Sequence, residues 1–328
     1  MKDTTISIIR VLAMLSIIAG HVLNWEGVET YQLLSVGVEI FLFISGYLYA
    51  KKEIKSISYF AKNKILKILV PAWIVVAFVA IPGGQGISAF PSYLLNIHGL
   101  RFVFPNIKVP TVDGVGQLWF LTVIGGCYFL MCLVKRTRFD AYMDQHIVLG
   151  ACAALFATLV LAAFNIKISY YLIFFVGYFW NRTRGNLELK ASSFSILTAI
   201  TAVSGMFRII ARKYMDGTAF YECFVARVTM CILAIWIIVA IANCVRLKSE
   251  EFSDLVRTKV WRYLDKLSYP LFITHYVFLT GPYDVSKWFG KSNLGFGVFA
   301  IATVASAVLL CKVSECLNVK FGIHKEKR

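Results

Sequence analysis

Ile6-Ser7-Ile8-Ile9-Arg10-Val11-Leu12-Ala13-Met14-Leu15-Ser16-Ile17-Ile18-Ala19-Gly20-His21 is an apolar run that nonetheless carries an arginine and a histidine. Read as a helix, the eleven steps from Arg10 to His21 make about three turns plus roughly 20°. Both side chains then leave one face, about 16 Å apart along the axis. A charge in such a segment costs on the order of 3 kcal/mol or more unless it is paired or faces a wet cavity. The pair therefore points to a polar cavity entering a membrane.

The rest of the 328-residue chain fits that setting. Hydrophobic residues make up 59% and charged residues 16%, and mean hydropathy is +0.70. A soluble domain of this size cannot hide so much apolar surface. The reading is an all-α, polytopic membrane protein of about ten transmembrane helices, near 6–24, 32–50, 68–82, 116–134, 146–164, 168–180, 193–211, 223–245, 267–281 and 294–313. The runs are continuous rather than alternating, which excludes a barrel. The first segment has no small-residue cleavage site and runs almost directly into the second, so it reads as a retained span and not a signal peptide. No linker, repeat or low-complexity tract interrupts the series, so residues 1–328 are expected to form a single domain.

Charge sets the expected orientation. With the N-terminus in the cytoplasm, 23 Lys and Arg fall on cytoplasmic segments and 7 on outer loops, with Arg10, Arg208, Arg227 and Lys312 inside spans. This satisfies the positive-inside rule and places both termini in the cytoplasm. It is carried by Lys51, Lys52, Lys55, Lys62, Lys64 and Lys67, and loop 246–266 and Lys325, Lys327 and Arg328 add to it. The net charge of +16 is then a topology and anionic-lipid signal, with no nucleic-acid partner needed. The eight cysteines form no CxxC or His/Cys cluster, so neither a metal nor a disulfide framework is expected. Segment 83–116, with prolines 91, 105 and 110, reads as a structured loop. Loop 246–266 reads either as a short amphipathic surface helix or as a plain connector.

Four further stretches could carry chemistry. In Gly37-Val38-Glu39-Ile40-Phe41-Leu42-Phe43-Ile44-Ser45-Gly46-Tyr47-Leu48, Glu39 lies at the same depth as His21, where a carboxylate could raise the basicity of an imidazole. The alternative is a buried Glu–His or Glu–Arg pair that only holds helices together. Lys64 and Lys67, ahead of Pro71, could meet a phosphorylated ligand as point charges, or simply flank the span. Trp119, in Gln117-Leu118-Trp119-Phe120-Leu121, reads on its own as an interfacial aromatic. In Leu267–His275, Pro270 suits a first helical turn, and His275 is either a packed core residue or part of the cavity. Arg227 is expected to face the interior. His98, His146 and His324 give no signal.

Taken in order, these stretches resemble the membrane-bound acyltransferase-3 family, bacterial multi-span enzymes that mostly O-acetylate sugars and cell-envelope polysaccharides. The resemblance rests on Arg10 and His21 with ten residues between them, on Gly37–Leu48, on the basic stretch ending at Pro71, and on Ser268–His275. It implies an O-acyltransferase of the bacterial cytoplasmic membrane that uses acetyl-CoA as donor and a sugar or polysaccharide, lipid-linked or not, as acceptor. It also implies a catalytic base or acyl-handling role for His21, with Glu39 as the family's acidic residue. Arg10 would serve donor binding or cavity electrostatics. Lys64 and Lys67 stand where relatives usually have two arginines thought to meet the phosphates of coenzyme A, and lysine keeps the charge but loses the fork. Trp119 matches a Trp-Phe-Leu-like segment and joins the donor-binding set. Many relatives carry an additional hydrolase-like domain, which is not expected here. The rival from the residues alone is a transporter or exporter whose Arg, Glu and His form a relay; a scaffold whose polar residues only pack is a third reading.

Overall fold

The computed structural model describes residues 2–28, 31–54, 56–84, 87–95, 97–137 and 139–320. The tail bearing Lys325, Lys327 and Arg328 lies outside the described residues, as does Lys55. Every regular element among those described is helical. The principal ones are α1 (Lys2–Trp25), α2 (Gly37–Tyr49), α3 (Ile57–Pro82), α4 (Trp119–Arg136), α5 (Ile147–Ala163), α6 (Ser169–Thr183), α7 (Ala191–Met215), α8 (Tyr221–Leu247), α9 (Ser249–Arg257), α10 (Lys259–Thr274) and α11 (Asn293–Lys320).

Seven helical stretches among the described residues are long and apolar enough to cross a bilayer. They are α1, α3, α4, α7, α8, α11 and Tyr31–Tyr49, which joins α2 to the single turn before it. The other three expected spans are helical but shorter. α5 has 17 residues, α6 has 15 and α10 has 16, or about 23–26 Å at 1.5 Å per residue. Length and composition thus establish seven spans among the described residues, with the other three expected ones present as shorter helices.

α1 is the central staff of the bundle and packs against α2, α8 and α10. Gly37 lets α2 approach it, because a Cβ there would overlap the Ala13 carbonyl oxygen. The closest crossing is between α2 and α6, where two glycines face each other. A Cβ on Gly46 would overlap the Phe174 carbonyl oxygen, and one on Gly177 would overlap that of Phe43. Small residues at such a crossing let backbones touch, which is how helices gain packing energy where lipid competes for apolar contact. Asn181 closes the crossing by donating from Nδ2 to the Tyr47 carbonyl at 2.6 Å.

Two helices depart from regular winding, each beside a cavity. α3 takes a π turn at Ile65–Leu69 ahead of Pro71, and α8 opens with one at Tyr221–Val225. The wider π winding lies at Ile65–Leu69, directly after Lys64, and includes Lys67. α10 begins at Lys259, so Pro270 lies well inside the helix rather than in its first turn. Loop 246–266 holds the amphipathic helix α9 followed by the start of α10.

Segment 87–103 is structured, with short helices at Phe90–Leu94 and Leu100–Val103. Gly99 donates its N–H to Thr122 Oγ1 at 3.2 Å, laying the segment over the start of α4. Buried His98 stacks on Tyr93 with ring centroids 4.6 Å apart, and burial pulls its pKa down to about 4.

The α2–α6 crossing yields a stability prediction. Gly177→Ala should destabilise the protein by on the order of 1–3 kcal/mol, the usual cost of overpacking. Gly205→Ala on α7, where a Cβ meets nothing within 4 Å, should leave the melting temperature in detergent within a degree or two. Equal melting temperatures for both variants and the parent would contradict this packing.

Candidate active site

α1 and α10 run parallel, and their seam carries polar contacts along its length. Near the start, Trp261 Nε1 donates to Ser7 Oγ at 3.0 Å. Arg10 then grips Asp265 with two donors, Nε to Oδ1 at 2.8 Å and Nη2 to Oδ2 at 2.6 Å. Both are largely enclosed, with side-chain exposures of 26% and 16%, so each neutralises a charge that would otherwise be costly in the bundle. Met14 packs with Leu267 and Leu271 above that pair. At the far end His21 meets His275 and Tyr276, with ring centroids 5.2 and 4.9 Å away.

Arg10 and His21 thus face the same helix, as their spacing requires, but different side chains on it. Arg10 is committed to Asp265 and does not line the cavity that contains His21. His275 is completely buried. Its Nδ1 lies 3.1 Å from the Leu271 carbonyl, which can only accept, so Nδ1 carries the proton and Nε2 keeps a lone pair. That Nε2 has no hydrogen-bond partner. His275 is therefore a packed, hydrogen-bonded residue that also backs His21.

His21 opens into a cavity of about 340 Å³ that also contains Glu39, Gln117, Trp119, Tyr170, Arg208 and Arg227. Glu39 is 2% exposed. Its Oε1 lies 3.9 Å from Arg227 Nη1, and its Oε2 is buried without a partner. No hydrogen bond or ion pair joins Glu39 to His21, so the expected direct carboxylate–imidazole contact gives way to a Glu39–Arg227 pair. Arg227 also donates from Nη1 to the Tyr170 hydroxyl at 2.8 Å, while its Nε is buried and unpartnered. Trp119 lies between Phe102 and Tyr170, at centroid distances of 4.5 and 5.0 Å. The cavity mixes aromatic faces with fixed charges of both signs, a lining suited to a hydroxylated ligand.

Gln117 was missed as a site residue in the sequence, as were Asp265 and Tyr170. Gln117 Nε2 donates to the Ile273 carbonyl at 2.8 Å, which sits where α10 tightens into the 3₁₀ turn His275–Phe278. Its Oε1 is buried without a partner. A glutamine beside a tryptophan at a helix entrance is the one signal that could have marked it.

The lysines lie at the opposite end of α1. Lys52, Lys64 and Lys67 line a separate cavity of about 480 Å³, with Glu53 as its one acidic residue. Lys64 is clasped by rings, its Nζ lying 4.3 Å from the centroid of Tyr49, 4.0 Å from that of Tyr128 and 5.5 Å from that of Phe60. It also donates to the Tyr49 hydroxyl. Aromatic faces hold a desolvated ammonium firmly. Lys67 is exposed. Trp119, grouped with these lysines from the sequence, belongs instead to the His21 cavity.

No curated protein and no solved structure matches the chain. A family model described as an acyltransferase domain, that of acyltransferase-3, matches residues 3–312. With seven helices long and apolar enough to cross a membrane among its described residues, the chain belongs to the acyltransferase-3 family and is a membrane acyltransferase.

Proposed function

We propose that this protein moves an acetyl group from cytoplasmic acetyl-CoA to a hydroxyl of a sugar or envelope polysaccharide, in the bacterial cytoplasmic membrane. The observation that carries the reading is the pairing of two unlike cavities: a lysine-lined one of about 480 Å³ where α2 gives way to α3, and a His21 cavity of about 340 Å³. The first suits the phosphates of coenzyme A, with Lys52 and Lys67 as point charges and Lys64 held in its aromatic clasp. The second suits an acceptor with several hydroxyls.

In this reading the acceptor oxygen attacks the thioester carbonyl carbon while His21 takes the hydroxyl proton. The carbon–sulfur bond then breaks, and the departing thiolate receives a proton as CoA leaves. His275 backs His21 with its ring centroid 5.2 Å away and holds that imidazole at the cavity wall. The developing oxyanion needs donors, and the guanidinium of Arg227, which lines the cavity, is one candidate source. Glu39 balances Arg227 and holds it in place. Arg10, locked to Asp265, holds α1 in register with α10 and thereby His21 against His275.

Two experiments test these assignments. Purified protein in lipid nanodiscs should bind acetyl-CoA and release CoA thiol slowly, and His21→Ala should keep binding while losing release by at least about 10²-fold, the usual size of a general-base contribution. Failure of the parent protein to bind acyl-CoA, or an unchanged rate in His21→Ala, would overturn the reading; gradient-driven flux without CoA release would instead favour a transporter. For Arg10, the single substitution Arg10→Asp should abolish release and the exchange Arg10→Asp/Asp265→Arg should restore a measurable part of it. An exchange variant that folds but is as inactive as the single one would show that Arg10 meets the donor itself.

A further inference from the structure

A second opening, of about 300 Å³, lies between α7 and α8 and joins the side of the His21 cavity, sharing Gln32, Arg208 and Tyr221 with it. α7 is the least enclosed of the seven long apolar helices, with only 6% of its apolar stretch buried in the protein. Arg208 and Arg212 stand one turn apart in this groove, and Leu33, Ile209 and Leu233 contribute apolar wall. Gly205 also lines it, and a Cβ there would meet nothing within 4 Å, so the groove is open at that level. Arg208 is half-buried and forms no ion pair among the described residues. Arg212 lies 3.9 Å from Asp216, but both side chains are well exposed, and so long and wet a contact leaves the guanidinium largely free.

Two adjacent guanidinium groups in a membrane-facing groove call for an anion. Apolar walls open to hydrocarbon call for an acyl or prenyl chain attached to it. We propose that this groove seats a phosphate-headed lipid that enters sideways from the bilayer, its phosphate on Arg208 and Arg212 and its headgroup reaching the His21 cavity. Only the step from bound lipid to carrier of the accepting hydroxyl rests on the acyl-transfer reading above.

Native mass spectrometry of the full chain released from detergent tests the site directly, using dioleoyl phosphatidate, dioleoylglycerol and inorganic phosphate as probes. The parent protein should retain one phosphatidate, should not retain dioleoylglycerol, and should keep its lipid against millimolar inorganic phosphate. Arg208→Gln/Arg212→Gln should bind phosphatidate about tenfold more weakly, as two lost charge-assisted contacts imply. Gly205→Leu, which fills the groove without touching a charge, should block retention while the melting temperature stays near that of the parent. Equal retention by parent and variants, equal retention of dioleoylglycerol, or displacement by inorganic phosphate would each overturn the proposal. A failed CoA-release assay would leave this binding result standing, so the two readings fail separately.

Discussion

A charge inside a bilayer has to be neutralised or wetted, and the arrangement of this bundle follows from how Arg10 and Arg227, two part-buried arginines, meet that demand. Arg10 finds Asp265, which ties α1 to α10. Arg227 finds Glu39 and Tyr170, which ties α8 to α2 and α6. Every one of these helices borders the His21 cavity or touches His21 itself. Removing one partner leaves an unpaired charge in a low-dielectric interior, which is far more costly than never having placed the pair there. The same interactions that hold the helices in register therefore also determine where the imidazoles meet.

Packing supplies the second constraint. The glycines at 37, 46 and 177 bring α1, α2 and α6 to backbone contact, so the elements around the polar interior have little freedom to slide. Three irregular turns lie beside the cavities: the π turns near Lys67 and Glu222, and the 3₁₀ turn at His275. Each redirects side chains that a regular helix would point elsewhere. The last of these departures lies beside the Ile273 carbonyl that Gln117 binds.

Much of this was readable from the chain itself. The Arg10–His21 spacing put both residues on one face, and they do face one helix. The depth of Glu39 placed it in the same cavity as His21, and Arg227 was expected inside. What could not be read were the partners, because Asp265 lies 255 residues from Arg10 and no local periodicity links them. Glu39 was read either as a partner for the imidazole or as half of a buried Glu–His or Glu–Arg pair, because sequence shows depth but not azimuth, and its carboxylate lies 3.9 Å from Arg227. Trp119 was assigned to the lysines through family resemblance, although its place at the start of α4 puts it at the other end of the bundle. Hydropathy showed where the apolar segments are, but α6 and α10 are short because they pack within the bundle and need not meet lipid over a full span.

The account stands on one claim, that an acyl group delivered at the lysine end of α1 reaches His21 at the other. Photocrosslinking tests it most directly, using a coenzyme A thioester whose acyl group carries a diazirine, followed by peptide mapping. Labelling should fall on the linings of the His21 cavity, on α1 near Ile17 and His21 and on α10 near Phe272, and excess acetyl-CoA should suppress it. Labelling confined to the segment between Lys52 and Lys67, with none at the His21 end, would contradict the claim.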